Sequence, residues 1–410
     1  MKRLFRTLIL LLVRILGAPG VYSAARQGHK LPSRRPRILL IRPDHLGDLV
    51  MTTPVLQALQ VYAPDAHITM MVGPWSSEVV GRHPAVDQLI TCPFPGFQRA
   101  AQKALAPYTL LLSTAQQLRR GNYDLAINLR ADFWWGAALL YLARIPQRVG
   151  YATQPGTPFL THALPLPPAE HSTVSNLRLA SAGLRALGYS ALDEPYTPTR
   201  YPLQFHPTAK EQQWVTERLA EAGIDTRTPI VVIHPGTGAV VKLWRTEAWS
   251  NIANRLTTAQ TFAAPIQIVL TGSKHELPLL EEIAQGMKTT PLLVTDTTVG
   301  QLAALLGRAQ LVLGVDSGPL HLAGAQNRPS LRIFGPTDLR IFGPWGIPEQ
   351  HVVIASTHRC PTCPSIPCGR LDFRSEELAA HPCVRLVTEQ EVATAIDKLV
   401  GVHTAPPVQK

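Results

Sequence analysis

Two carboxylates stand at the end of the first buried-looking apolar run of the chain. The stretch "ILLIRPDHLGDLVMTTP" opens at residue 38 with four aliphatic residues, passes Asp44, and reaches Gly47 and Asp48 just before an apolar helical pattern. Gly47 would permit a tight turn or the close approach of a ligand. Asp48 would serve either as a general base for an attacking hydroxyl or as a helix N-terminal anion, with Asp44 capping the turn. Spacing alone does not choose between these roles.

A loop in the second half suits a diphosphate. The stretch "HPGTGAVVKLW" directly follows a predicted strand, so the backbone N–H groups near Gly238 would converge on an anion. Thr237 adds a hydroxyl and Lys242 adds a mobile positive charge. The alternative is an ordinary strand-to-helix turn with a solvated lysine, and the Walker A pattern is absent.

Two further strand ends carry polar residues. In "LTGSKHE", Glu276 stands where a strand becomes a helix, a position from which carboxylates bond ribose hydroxyls. In "GVDSGPLHLAGA", Asp316 ends a strand, Ser317 and Gly318 open a helix, and His321 lies about one turn in. These groups would bind an anion or sugar hydroxyls. The alternative is a well-capped buried helix with a satisfied histidine.

The elements that must position these residues repeat a βα pattern. Short apolar runs alternate with amphipathic ones, first in "RILLIR", "AHITMMV", "DQLIT", "YDLAINL" and "QRVGY", and again in "IVVIHPG", "IQIVLTG", "PLLVT", "QLVLGVD" and "SLRIFGP". This pattern predicts two α/β domains with parallel sheets. Proline-rich text over residues 151–208 predicts the boundary between them. We therefore expect an N-terminal extension over 1–36 and domains over 37–205 and 206–410. The second domain should end in a cysteine-containing loop and a helix, whose start is indicated by the capping box "TEQE".

Positive charge is concentrated at the N-terminus. Of the net charge of +11, all belongs to residues 1–205, and nine cations but no carboxylate precede residue 38. The apolar run Leu8–Val13 is shorter than a membrane span needs, which favours a basic amphipathic helix over residues 1–20 on the anionic inner leaflet. A helix packed on its own domain and a signal peptide are the alternatives. Aromatic residues do not interleave with the cations, which argues against nucleic acid.

Four of the five cysteines fall late in the chain. Cys360, Cys363, Cys368 and Cys383 have histidines beside them and could hold zinc, but the spacing matches no common finger, and an ordered proline-rich loop is the alternative. The patterns GxGxxG, GxSxG and HExxH do not occur where they would indicate a dehydrogenase, a hydrolase or a metalloprotease.

Four segments together resemble glycosyltransferase family 9, the bacterial heptosyltransferases that build the inner core of lipopolysaccharide from ADP-heptose. These are "ILLIRPDHLGDLVMTTPVLQAL", "VVIHPGTGAVVKLWRTEAW", "IVLTGSKHE" and "LVLGVDSGPLHLAGA" with the following "IFGPTD", in the family's order over most of residues 37–340. The resemblance implies a GT-B fold, in which two Rossmann-like domains with parallel sheets face each other across a cleft. It also implies an inverting, metal-independent and cofactor-free transferase at the cytoplasmic membrane, with a nucleotide-sugar donor and an anionic glycolipid acceptor.

By the resemblance, Asp48 of the Gly47–Asp48 pair looks like the catalytic base. Lys242 looks like the lysine on the diphosphate, and Glu276 looks like the ribose-binding acid. The remaining donor residues implied are Thr237 and Gly238 in the phosphate loop and Asp316, Ser317, Gly318 and His321 in the D-[ST]-G-x-x-H segment.

The extension of 36 residues and the loop "GTGAVVK" depart from the family pattern, which leaves the donor sugar open. A transferase using another nucleotide sugar is the nearest alternative, and a non-catalytic glycan- or membrane-binding protein of this fold is the more distant one.

Overall fold

Each half of the chain builds its own parallel sheet. The computed structural model describes residues 2–28, 35–97, 105–258, 262 and 264–404, in two units, Met1–Thr197 and Pro198–Lys410. Within these residues the first unit contains β1 (Arg37–Arg42), β2 (His67–Val72), β3 (Gln88–Thr91), β4 (Leu125–Asn128), β5 (Gln147–Tyr151) and β6 (His162–Leu164). The second contains β7 (Ile230–His234), β8 (Gln267–Thr271), β9 (Leu292–Val294), β10 (Leu311–Val315), β11 (Ser330–Phe334) and β12 (His351–Ala355). The domain bounds at residues 36 and 205 stay predictions.

The two sheets have the same strand order. The first runs β3-β2-β1-β4-β5-β6, and the second, β12-β11-β10-β7-β8-β9, is the same order read from its other edge. All neighbouring strands pair in parallel, with Ile41 opposite Asn128 in the first sheet and Gly314 opposite His234 in the second. The strand order reverses between β1 and β4 in the first sheet and between β7 and β10 in the second. In sheets of this kind ligands bind at the carboxyl ends of the strands flanking that reversal.

Helices follow most strands. In the first unit they are α1 (Lys2–Gly28), α2 (Leu46–Val50), α3 (Thr53–Tyr62), α4 (Ser77–Gly81), α5 (Ala106–Arg119), α6 (Trp134–Leu142) and α7 (Ser172–Ala186). In the second they are α8 (Ala209–Glu221), α9 (Thr246–Thr258), α10 (Leu277–Gln285), α11 (Val299–Arg308), α12 (Gly318–Ala325), α13 (Leu339–Phe342) and α14 (Glu389–Thr404). The predicted capping box before α14 is confirmed, because the Thr388 amide donates to Glu391 Oε2 at 2.7 Å and the Glu391 amide to Thr388 Oγ1 at 3.2 Å.

The central strands are buried on both faces. Ile38 to Ile41 of β1 and Ile230 to Ile233 of β7 are fully inaccessible, as expected when helices cover both sides of a parallel sheet. Tight packing continues in the helices; Trp249 on α9, for example, meets Trp244 edge to face with ring centroids 4.9 Å apart. Because both faces are covered, ligands are expected at the loops that follow the carboxyl ends of the strands.

Helix α1 packs on its own unit along one face. The Tyr141 hydroxyl donates to the Arg14 carbonyl at 2.7 Å, Leu10 is buried, and Gly17 and Gly20 allow the helix to approach Tyr141 and Arg144 of the α6 region. Large apolar side chains on the remaining surface are more than half exposed, namely Leu8, Leu11, Leu12, Ile15, Leu16 and Tyr22. Residues 6–24 are long and apolar enough to cross a membrane by length and composition, contrary to the expectation drawn from the short run Leu8–Val13.

Candidate active site

Charged residues lie at the carboxyl ends of β1 and β4, where the strand order of the first sheet reverses. Arg42 ends β1, and Asp44 and Asp48 follow it. Arg130 and Asp132 follow β4, the neighbouring strand. Because parallel strands end at one edge, residues almost ninety positions apart in sequence meet in one cluster.

Asp44 is the structural member of this cluster. Its side chain is 3% exposed, its Oδ2 lies 2.8 Å from Arg42 Nε, and its Oδ1 pairs with Arg130 Nη1. Its carbonyl accepts hydrogen bonds from Trp75 Nε1 and Ser76 Oγ. The suggestion that Asp44 caps the turn is wrong, because His45 is the N-cap of α2 and no side chain caps it. Asp44 instead neutralises two arginines.

Arg42 links the two carboxylates. Its Nη2 lies 3.0 Å from Asp48 Oδ1, while its Nη1 donates to the Leu129 carbonyl at 2.6 Å. The guanidinium is buried and held by Asp44 at Nε. Asp48 is therefore positioned by an arginine that other groups hold at its two remaining nitrogens.

Asp48 is more accessible than Asp44. Its side chain keeps 26% of its surface exposed, against 3% for Asp44. Burial, followed by the negative charge of Asp44, raises the pKa of Asp48 to about 6, although Arg42 and Arg130 act in the opposite direction. Such a group is ionised at neutral pH and accepts a proton more readily than an ordinary aspartate. Gly47 precedes it within the first turn of α2.

Sequence reasoning missed Arg42, Arg130 and Asp132. Arg130 Nε lies 2.6 Å from Asp132 Oδ1, and its guanidinium lies over the Phe97 ring with a distance of 5.1 Å to the ring centroid. The signal was present as "NLRAD", charged residues directly after a predicted strand. Recognising it required the knowledge that β4 pairs with β1 rather than with β3.

In the second sheet, a lysine and an aspartate meet at the corresponding position. Lys242 Nζ lies 3.1 Å from Asp316 Oδ2, and their side chains are only 13% and 8% exposed. Thr337, after β11, donates its hydroxyl to the same oxygen at 2.6 Å. The alternative of a solvated lysine is therefore wrong. Two residues predicted separately for the donor site, Lys242 and Asp316, form one ion pair.

Glu276 lies against the loop that follows β7. Its Oε2 accepts from both the amide and the hydroxyl of Ser273, at 2.7 and 2.8 Å. A Cβ placed on Gly236 would overlap the Glu276 carboxylate, which explains the glycine there. Nearby, His234 Nδ1 lies 3.0 Å from Thr271 Oγ1, and burial lowers the pKa of His234 to about 4, so this imidazole is neutral.

Two hydroxyls at this edge are buried and have no hydrogen-bond partner within the described chain. They belong to Thr237, after β7, and Ser317, after β10. Ser317 is the N-cap of α12, yet its side chain caps nothing there. Because buried polar atoms are nearly always paired, such atoms at the carboxyl ends of neighbouring strands indicate where a ligand supplies the missing partners.

The remaining predicted residues differ in accessibility. Gly318 begins α12, and Gly238 is exposed. His321 is 3% exposed, with Nδ1 3.3 Å from Arg332 Nη1, while Arg332 Nη2 donates to the Leu320 carbonyl at 2.7 Å. His321 thus faces a buried arginine, and its role in donor binding stays a prediction.

The structure is similar to solved structures of glycosyltransferases. The structure aligns with a family 9 glycosyl transferase from Veillonella parvula at a TM-score of 0.72 and 21% identity, covering 90% of this chain and 99% of that one. It aligns with the ADP-heptose lipopolysaccharide heptosyltransferase II structure of Escherichia coli at 0.66 and 21%, covering 90% and 100%. The predicted α/β fold of GT-B type, with two Rossmann-like domains, is confirmed.

The sequence comparisons define the family. The model of glycosyltransferase family 9 (heptosyltransferase) matches residues 111–369. Lipopolysaccharide heptosyltransferase 3 of Escherichia coli is 30% identical over 308 residues, covering 73% of this chain and 83% of the relative. Lipopolysaccharide heptosyltransferase 1 of Pseudomonas aeruginosa is 25% identical over 377 residues, covering 89% and 98%. The chain belongs to glycosyltransferase family 9, and it is a glycosyltransferase.

Proposed function

We propose that this enzyme transfers a heptosyl residue from ADP-heptose to a hydroxyl of a lipopolysaccharide core, with inversion at the anomeric carbon. The names of the relatives supply the donor and acceptor class. The observation that carries the chemistry is an accessible carboxylate with a raised pKa: Asp48 is held by Arg42, is partly exposed, and has a pKa raised to about 6.

The proposed reaction is a direct displacement. The acceptor oxygen forms a bond to the anomeric carbon while the bond to the diphosphate oxygen breaks, and Asp48 takes the proton of the hydroxyl. ADP leaves with the bonding electron pair. Proton transfer by a positioned base contributes about 10²–10⁴-fold in rate, and charge stabilisation of the leaving diphosphate contributes further.

The C-terminal unit supplies the donor site in this proposal. Lys242 and the amides at the start of α12 bind the diphosphate, and the hydroxyls of Thr237 and Ser317 donate to it. Glu276 bonds the ribose, and Asp316 holds Lys242 and contacts the donor sugar. A lysine in this role replaces the divalent cation that many nucleotide-sugar enzymes require, so the proposed reaction needs no metal or other cofactor.

The N-terminal unit supplies the acceptor side, and α1 supplies membrane contact. A lipid-linked core bearing phosphates and acidic sugars is polyanionic, which matches the net positive charge of residues 1–205. The exposed leucines of α1, with Arg6 and Arg14 beside them, suit the inner face of the cytoplasmic membrane. We propose a peripheral association there and no nucleic-acid partner.

The activity is tested by incubating the full chain with ADP-heptose and a set of truncated lipopolysaccharide cores, and weighing the products by mass spectrometry. One core should gain a heptose. Competing UDP- and GDP-sugars in the same mixture test the donor, since incorporation of another sugar would replace ADP-heptose in the proposal. No mass gain with any donor would favour a binding protein.

Asp48→Asn tests the base. Turnover should fall about 10²–10⁴-fold, while ADP affinity measured by calorimetry stays unchanged. Asp65→Asn, an exposed carboxylate in the turn before β2, is the matched control and should keep full turnover. Undiminished turnover in Asp48→Asn would remove the proposed base.

Membrane contact is tested by co-flotation with vesicles containing anionic lipid. The double variant Leu12→Gln/Leu16→Gln should reduce the bound fraction and leave ADP affinity unchanged, because both side chains are exposed on α1. Leu112→Gln changes an equally exposed leucine on α5 and controls for general surface hydrophobicity. Equal losses in both variants would contradict a specific role for α1.

A further inference from the structure

The segment that joins β12 to α14 lacks regular structure but reaches the core. Over residues 356–388 its described elements amount to one 3₁₀ helix, Ser375–Ala380. Connections of this length inside a domain are uncommon unless something else holds them. Cys360, Cys363 and Cys383 from this segment nevertheless belong to the apolar core of the C-terminal unit. Its compactness therefore needs an explanation beyond hydrogen-bonded secondary structure.

Soft metal-binding groups converge in this segment. The Sγ atoms of Cys360 and Cys363 and a ring nitrogen of His381 lie within 4.8 Å of one another, and all three residues are buried. Cys363 Sγ lies 3.3 Å from His381 Nδ1. Cys383 belongs to the same apolar core as Cys360 and Cys363, and Cys368 packs against that core. All five cysteines of the chain are free thiols.

We propose that Cys360, Cys363, His381 and one further thiolate, from Cys383 or Cys368, bind a single Zn²⁺ ion tetrahedrally. Zn–S and Zn–N bonds of about 2.3 and 2.0 Å place tetrahedral sulfur and nitrogen ligands about 3.5–3.8 Å apart. The distance of 3.3 Å between Cys363 Sγ and His381 Nδ1 is close to that spacing. Thiolate and imidazole ligands select zinc or iron over magnesium or calcium. Four protein ligands leave no open position, so the metal is structural.

The orientation of His381 supports this assignment. Its ring lies against Phe373 with centroids 3.8 Å apart, and it is 8% exposed, so the ring is held in an apolar setting with Nδ1 aimed at a thiol. An imidazole that only filled space would gain more from a carbonyl or hydroxyl partner. A metal ion satisfies the imidazole and the thiols together.

The segment also holds the turn that completes the Lys242–Asp316 pair. The Gly369 amide donates to the Pro336 carbonyl at 2.7 Å, and Cys383 packs against Gly335. Thr337, the next residue of that turn, donates to Asp316. The metal therefore acts as a positioning device for the proposed donor site, a part of the inference that rests on the proposed function.

Metal content tests the site without any variant. Full-length protein purified without nickel resin or chelator should carry about one equivalent of zinc by plasma mass spectrometry. Cobalt exchanged into the protein should give the intense visible bands of tetrahedral cobalt–thiolate coordination. Zinc near zero after reconstitution, with all thiols titrating freely and no cobalt bands, would overturn the proposal.

Variants assign the ligands. His381→Asn and Cys363→Ser should each lower bound zinc at least several-fold, and Cys92→Ser, the fifth cysteine in the other unit, should not. Comparing Cys383→Ala with Cys368→Ala identifies the fourth ligand; full zinc retention in all four cluster variants would refute the ligand set.

Stripping zinc from the wild-type protein should weaken ADP binding several-fold, and unchanged ADP affinity would remove the positioning role while leaving the metal site.

Discussion

The two sheets share a strand order but carry different polar groups at the point where that order reverses. At the first sheet, arginines and aspartates form ion pairs with each other. Among the described carboxylates of that cluster, Asp48 alone combines partial exposure with a raised pKa. In the second sheet, one Lys242–Asp316 pair is accompanied by the unpaired hydroxyls of Thr237 and Ser317. Topology chose where the sites are. In the proposed reaction, loop residues give the first site its base and the second site its anion-binding groups.

The largest effect is expected at Asp44. Asp44→Ala leaves the buried guanidinium of Arg42 and that of Arg130 without their shared carboxylate, which should cost about 3–5 kcal/mol of folding free energy. Denaturant unfolding of the full chain, followed by hydrogen exchange to locate the loss in the N-terminal unit, measures it. Asp132→Ala removes a carboxylate that is 72% exposed and should cost under about 0.5 kcal/mol. Equal losses of folding free energy in Asp44→Ala and Asp132→Ala would mean that Asp44 is not the structural member of the cluster.

Substitution of Asp48 should raise folding stability, whereas substitution of Asp44 lowers it. Its folded-state pKa of about 6 exceeds the unfolded value, so the folded chain binds the proton more tightly, and stability falls as pH rises from about 4 to 6. Asp48→Asn removes this penalty and should raise stability at pH 7 by about 1–3 kcal/mol. The difference from wild type should vanish near pH 4. In wild type, kcat/KM should fall below pH 6 as Asp48 becomes protonated. An Asp48→Asn variant less stable than wild type at pH 7 would contradict the raised pKa of Asp48.

Lys242→Met sharpens the comparison on the donor side. Loss of a charge-assisted contact of about 1.5–3 kcal/mol should weaken ADP binding roughly 10–150-fold. Calorimetric titration of ADP measures the change. Lys210→Met alters an exposed lysine at the start of α8 and should leave ADP affinity unchanged. Loss of stability without loss of ADP affinity would reduce Lys242 to a structural partner of Asp316.

The smallest effects belong to the unpaired hydroxyls. Thr237→Val and Ser317→Ala should each weaken ADP binding about 3–10-fold, the value of one neutral hydrogen bond, without lowering the melting temperature. Ser250→Ala is the inverse control, because its hydroxyl donates to the Ile283 carbonyl at 2.7 Å. That variant should melt lower and bind ADP normally. A lower melting temperature with unaltered ADP binding in the two site variants would show that their hydroxyls serve the fold.

The strands that carry the sites were predictable, as were the edge strands β3 and β9, but the edge strands β6 and β12 were not. The runs that became β1 and β7 are continuously apolar because helices cover both faces of their sheets. β6 is a three-residue edge strand within proline-rich text, and β12 is an edge strand with partly exposed residues. Edge strands need less apolar burial and leave a weaker pattern in the sequence.

The sequence by itself determined the doubly wound α/β architecture, the loops that would carry chemistry, and the residue types in them, because periodic burial and turn chemistry are local properties. Only the tertiary structure decided that Asp44 is an anchor while Asp48 stays accessible, that Lys242 pairs with Asp316, and that His381 joins the cysteines. Those outcomes depend on which strands become neighbours and on how much solvent each group retains. Both are set by contacts between residues far apart in the chain.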